Sequence, residues 1–209
     1  MPPAYPVTFS VDYPERDLNR VSTFFRIFAV IPIAIVIELL PGGNLAAGQY
    51  YAGSSGFAVS AGALVFAPIV LMLLFRKKYP RWWYDWNLEL LRFGNRVGVY
   101  VLLMDDEYPS TDERQAVHLD FAYPDAERLS RGLPLVKWFL AIPHYFVLFF
   151  LSIGVFFAAI GAWFAILFTG RYPKGIFDFV EGTIRWHNRV AGYALALVTD
   201  EYPPFRLGA

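Results

Sequence analysis

The same short motifs occur twice along this chain, and in the same order. Tyr13-Pro14 returns as Tyr123-Pro124, Ile31-Pro32 as Ile142-Pro143, and Tyr79-Pro80 as Tyr172-Pro173. Asn95-Arg96-Val97 returns as Asn188-Arg189-Val190, and Asp106-Glu107-Tyr108-Pro109 is echoed by Asp200-Glu201-Tyr202-Pro203. A chain built this way folds as two like units, here 1–112 and 113–209, that bury their apolar faces together. The spacing between copies shortens after the Ile-Pro pairs, because the first copy carries the longer loop, and loops are where insertions are tolerated.

What surrounds those units follows from their apolar runs. Val21 to Leu40 gives about 20 largely apolar residues, roughly 30 Å as a helix and enough to cross a bilayer. A glycine-rich loop without lysine or arginine, Pro41 to Gly56, leads to a second run from Phe57 to Phe75, which exits on Arg76-Lys77-Lys78. The second copy offers Leu133 to Leu151 and Ile153 to Thr169, parted by Ser152 and followed by Arg171 and Lys174. Composition agrees: 56% of residues are hydrophobic and 19% aromatic, high for a soluble chain. The expected fold is an all-α integral membrane protein, a tandem duplication of short strand, helical hairpin (about 21–75 and 133–169) and amphipathic interfacial helix (about 80–104 and 173–198). About four transmembrane helices result, the tighter second hairpin being either spanning or re-entrant. The positive exits place both termini on the cytoplasmic side of the membrane. The proline- and acid-containing N-terminus does not read as a signal peptide, so the first apolar run is expected to be retained.

Each unit opens with an alternating segment, Val7, Phe9, Val11 and Val117, Leu119, Phe121, which predicts two strands pairing into a small cytoplasmic ribbon. In the helix after the first hairpin, Asp85, Glu89, Arg92 and Arg96 form one stripe, with Trp83, Trp86, Leu90, Phe93 and Val97 opposite. The second copy keeps Asp178, Arg185 and Arg189 in its stripe. Such helices lie naturally at a membrane interface. Their arginines either pair with the acids of the same face or meet anionic headgroups.

Few residues suggest chemistry. Arg26 and Lys137 each precede an Ile-Pro by the same interval, so a cation recurs near the start of both first helices, as a snorkelling side chain or the lining of a pathway. Pro32 and Pro143 are expected to kink their helices. Gly161, among Ala158, Ala159 and Ala162, suits close helix packing. With no cysteine there is no disulfide or thiolate site, and His118, His144 and His187 lack zinc spacing. No catalytic residue, metal or cofactor is expected. Acids and bases balance at 18 each, which argues against a nucleic-acid partner.

Tyr5-Pro6-Val7-Thr8-Phe9, Asp12-Tyr13-Pro14, the Ile-Pro repeats, Arg171-Tyr172-Pro173 with Phe177-Asp178-Phe179, and the ending Asp200 to Phe205 resemble the DUF4389 family of bacterial integral membrane proteins across both repeats. That resemblance implies the architecture and carries no activity, cofactor or catalytic residue. The expected function is a non-enzymatic membrane scaffold or accessory subunit, contacting lipid and other subunits or a second copy of itself. The alternatives are a small oligomeric channel or transporter, or a scramblase-like lipid handler.

Overall fold

A computed structural model of the protein describes residues 5–39 and 61–208. Its elements are β1 (Val7–Val11), α1 (Arg20–Leu39), α2 (Ala61–Arg76), α3 (Arg81–Val101), β2 (Val117–Phe121), α4 (Leu133–Leu140), α5 (Ile142–Thr169) and α6 (Lys174–Ala194). The glycine-rich loop of the first copy and the start of the second apolar run lie outside the described residues.

β1 and β2 pair antiparallel, Val7 opposite Phe121, Phe9 opposite Leu119 and Val11 opposite Val117. Alternation decides which face is buried: the apolar residues point inward, while Thr8, Ser10, His118 and Asp120 face out. Beneath the ribbon lie α3 and α6. β1 rests on α6, where the Arg185 Nε donates to the Phe9 carbonyl at 2.8 Å. β2 rests on α3, where the Arg92 Nε donates to the Leu119 carbonyl at 2.8 Å. Each strand therefore sits on the helix of the other repeat. Between the two helices Asn95 and Asn188 exchange amide hydrogen bonds at 2.9 and 2.7 Å. Residues equivalent in the two copies thus pair with each other at Phe9–Leu119 and at Asn95–Asn188, which places a pseudo-twofold axis through both pairs.

The third layer is apolar. α1 runs antiparallel to α3, with Arg26 at Tyr100 and Ile33 in a cluster with Phe93 and Val97. α5 runs antiparallel to α6: His144 meets Trp186, Gly154 faces Phe179, and Gly161 faces Ile176. α1 also crosses α5, where the Trp163 Nε1 donates to the Thr23 carbonyl at 3.3 Å, and α2 packs on α4. Among the described residues nothing covers the outward side of this layer, where Phe28, Phe146, Phe157 and Phe168 are exposed.

The turn expected at Ser152 is absent, because α5 continues from Ile142 to Thr169. A lone serine is no helix breaker; its Oγ donates to the Leu148 carbonyl one turn back at 2.8 Å. The interruption lies earlier, at Ala141, just before Pro143, which cannot donate to the preceding turn. There the Tyr202 hydroxyl donates to the Leu140 carbonyl at 2.9 Å. Pro32, its counterpart, lies inside an uninterrupted α1. The first repeat thus has two helices where the second has α4 and a long α5. Among the described residues, α5 is the one helix both long and apolar enough to cross a membrane.

Candidate functional site

Two buried cations and the turns that receive them form the most organised polar feature of the fold. α3 and α6 end alike: Leu103 (φ 65°) and Leu197 (φ 54°) take the left-handed conformation, which costs a leucine on the order of 1–2 kcal/mol. Both leucines are buried. Met104 N–H then bonds the Val99 carbonyl, and Val198 N–H the Gly192 carbonyl, each at 3.0 Å. This turn throws the following carbonyls back over the first helix of the same repeat. Arg26 Nη1 donates to the Tyr100 carbonyl at 2.9 Å and to that of Asp105, and its guanidinium lies 4.3 Å from the Tyr100 ring. Lys137 Nζ donates to the Thr199 carbonyl at 2.7 Å and lies 5.0 Å from the Tyr193 ring.

The acid of each Asp-Glu-Tyr-Pro turn docks on the segment before that helix. Asp106 accepts from Asn19 N–H at 3.0 Å, and Asp200 from Ser130 N–H at 2.7 Å, as anions at helix starts do. The copies then part company. Asp200 also pairs with Lys137 at 2.7 Å, whereas Asp106 pairs with Arg16, so that among the described residues no carboxylate is bonded to Arg26. Three residues before Asn19 stands Arg16; three before Ser130 stands Glu127, which cannot compete for Asp200. Burial pushes the Asp106 carboxyl up, but Arg16, the Asn19 amide and Arg26 outweigh it and hold it below its ordinary value. Asp106 in turn raises the Arg16 guanidinium.

The arginines of the helical stripes turn inward. Arg96 Nη1 donates to the Ser110 and Thr111 carbonyls at 3.1 and 3.2 Å, and Arg189 to those of Arg206 and Gly208 at 3.1 and 2.8 Å. Both are buried. Burial first, then Arg206 and Arg185, lower the Arg189 guanidinium from its ordinary value. Arg92 adds Glu89 and Asp120 to its bond with β2, and Arg185 adds Glu181 and the Leu207 carbonyl. In place of a headgroup-facing stripe, these side chains lock strands and loops to the helices. Asp85 and Asp178 remain exposed, Asp178 paired with Lys174 at 2.7 Å. Gly161 borders Ile176 of α6, so its approach is within the chain.

Sequence reading missed Tyr100 and Tyr193, although the signal was present: the repeated Asn-Arg-Val extends to Asn-Arg-Val-x-x-Tyr in both copies. It also passed over the His144–Trp186 pair. The indole donates to His144 Nδ1 at 3.0 Å, and the ring stacks on Phe205 at 4.0 Å, where the first repeat has the apolar Ile33 and Phe93.

Two cavities flank these features. One of about 600 Å³ lies between α3, α5 and α6, over the Asn95–Asn188 pair, walled by Leu91, Tyr145 and Leu148. The other, about 530 Å³, lies between α1 and α5 and is lined by Arg26, Ile27, Val30, Phe156, Ala159 and Trp163. Among the described residues no three His, Asp or Glu side chains gather as around a metal ion.

The sequence profile of a family described as a domain of unknown function, DUF4389, matches residues 134–206, from the start of α4 to beyond α6. No curated protein and no solved structure matches.

Proposed function

We propose that this chain, which belongs to the DUF4389 family through residues 134–206, is a non-enzymatic module seated in one leaflet of a membrane, where it organises lipid or a partner subunit. The observation that carries this reading is the segregation of its layers. Exposed aromatics cover the outside of α1 and α5, while exposed Ser10, His118 and Asp120 cover the opposite side. Phe168 is 79% exposed and Ile27 77%, on a continuous apolar face that water would leave unfavourably hydrated.

The seat in the plane of the leaflet, in place of two spanning hairpins, rests on alignment. β1, α6 and α5 run alongside one another, as Gly192 against Val7, Arg185 against Phe9, and His144 against Trp186 record. An upright α5 would stand the ribbon upright too and drive Asp12, His118 and Asp120 into hydrocarbon, where charges are costly. A flat α5, about 42 Å long for its 28 residues, keeps them in water. The channel alternative has against it that Arg26 and Lys137 already serve backbone carbonyls.

The chain has no cysteine, so single cysteines can be introduced and spin-labelled without background. Labels at Phe139, Phe149, Phe157 and Phe168 in vesicles are expected at similar depth in one leaflet, with a label at Ser10 in water. A profile that is shallow at Phe139 and Phe168 and deepest between them would mean that α5 crosses, and the in-plane reading would fall.

A further inference from the structure

The buried cations Arg26 and Lys137 occupy equivalent places, and among the described residues only Lys137 has a carboxylate bonded to it. Lys137 has Asp200 at 2.7 Å. Arg26 is 2% exposed, its Nη1 serves two carbonyls, and its Nε and Nη2 are buried with no hydrogen-bond partner. Asp106, which could have answered it, is held by Arg16 and the Asn19 amide, and Asp105 bonds Arg16 at 3.0 Å. Buried charged donors left unpaired are expensive, and the Nε/Nη2 edge of a guanidinium matches two oxygens of one acid group. The cavity of about 530 Å³ adjoins this side chain; the rest of its wall is almost wholly apolar. Ile27, Phe156 and Ile160 on its rim are also exposed on the outer face, so it opens where lipid would lie.

We infer that the cavity between α1 and α5 binds one anionic lipid, its acyl chain among Ile27, Val30, Phe156 and Ala159 and its acid group on the free edge of Arg26. The inference rests on the membrane seat proposed above and adds to it a site and a headgroup charge. The second repeat supplies in its own chain, through Asp200, the anion that the first repeat takes from outside. The polar edge and apolar wall together select the ligand: a free inorganic anion leaves the wall empty, and a zwitterionic lipid brings its own cation beside the buried Arg26.

The test is native mass spectrometry of the full chain from detergent micelles offered equal dioleoylphosphatidylglycerol and dioleoylphosphatidylcholine. The wild type should retain one phosphatidylglycerol, about tenfold in preference to phosphatidylcholine, whose choline cation offsets the attraction of its phosphate to Arg26. Ala159→Phe and Ile27→Trp fill the cavity without touching the carbonyl bonds of Arg26, and each should lose that retention while keeping its circular dichroism; Ile27 is exposed enough for its variant to fold. Arg26→Lys keeps the charge without the fork and should weaken retention severalfold. Equal retention of the two lipids by the wild type, or unchanged retention by a folded cavity-filled variant, overturns the site. Flotation of the same proteins with vesicles reads the membrane seat separately. A wild type that fails to float sinks the seat, while the micelle competition still decides the cavity.

Discussion

Lys137 shows how much of this fold hangs on single buried charges. Its ammonium is enclosed among the Thr199 carbonyl, Asp200 and the Tyr193 ring. Replacing it with methionine keeps the apolar stem and leaves Asp200, 26% exposed, with the Ser130 amide alone, a loss on the order of 1–3 kcal/mol. Lys137→Met should lower the melting temperature markedly in detergent, and adding Asp200→Asn should recover part of the loss; an unchanged single variant would mean that the pair contributes nothing. Asp106 predicts a pH dependence. Its carboxyl is held below its ordinary value, so the folded state takes up a proton less readily than the unfolded one. Its contribution is therefore complete above the ordinary carboxylate range, about pH 4, and is lost as pH falls through the folded value. Asp106→Asn should be less stable than wild type at pH 7, and the gap should close in melts taken below about pH 4. The sequence made the recurrence of Arg26 and Lys137 legible but not their partners. Those depend on the left-handed Leu103 and Leu197, and leucine is not a residue whose presence announces that conformation.

At the scale of elements, period and punctuation carried most of the reading. Strict alternation identified both strands, and proline after Tyr79 and Tyr172 set the starts of α3 and α6 within a residue, whereas both helices end before the expected 104 and 198, at Val101 and Ala194. The second hairpin failed because an apolar run long enough for two short helices is equally suited to one long helix, and hydrophobicity alone cannot place a turn. A substitution separates the two cases. Proline at Ser152 would suit a tight turn, but inside α5 it removes a backbone bond and clashes with the preceding turn, at about 3 kcal/mol. Ser152→Pro should thus lose stability in thermal melts followed by circular dichroism, whereas a harmless proline would restore the hairpin. Contact between elements is as exacting: a Cβ on Gly192 would sit 2.6 Å from Val7 Cγ2, a short and rigid neighbour. Gly192→Ala should lift β1 from α6 and cost roughly 1–3 kcal/mol, visible as faster hydrogen exchange at Val7 to Val11.

For the molecule as a whole, duplication was legible and exchange was not. The motifs mark two units in tandem, yet β1 lies on α6, β2 on α3, and α1 crosses the second half of α5, so each unit completes the other's core. Spacing in sequence carries no information on which copy of a strand covers which copy of a helix; the pseudo-twofold axis decides it by making both choices equivalent. The energetic consequence follows from burial. Separated at Asp112–Glu113, either half loses the partner that covers Phe9 or Leu119, residues 4% and 1% exposed in the intact chain. Fully burying such a side chain contributes roughly 1.5–3 kcal/mol, and each half loses several. Neither half, 1–112 or 113–209, should then be a folded monomer. The two coexpressed should assemble one to one, because the Asn95–Asn188 contact and the ribbon ladder re-form without the peptide bond between them. Size-exclusion chromatography with light scattering distinguishes the cases. A half that is monomeric and cooperatively folded on its own would show that its core is complete without exchange, and that the two units are domains that happen to touch.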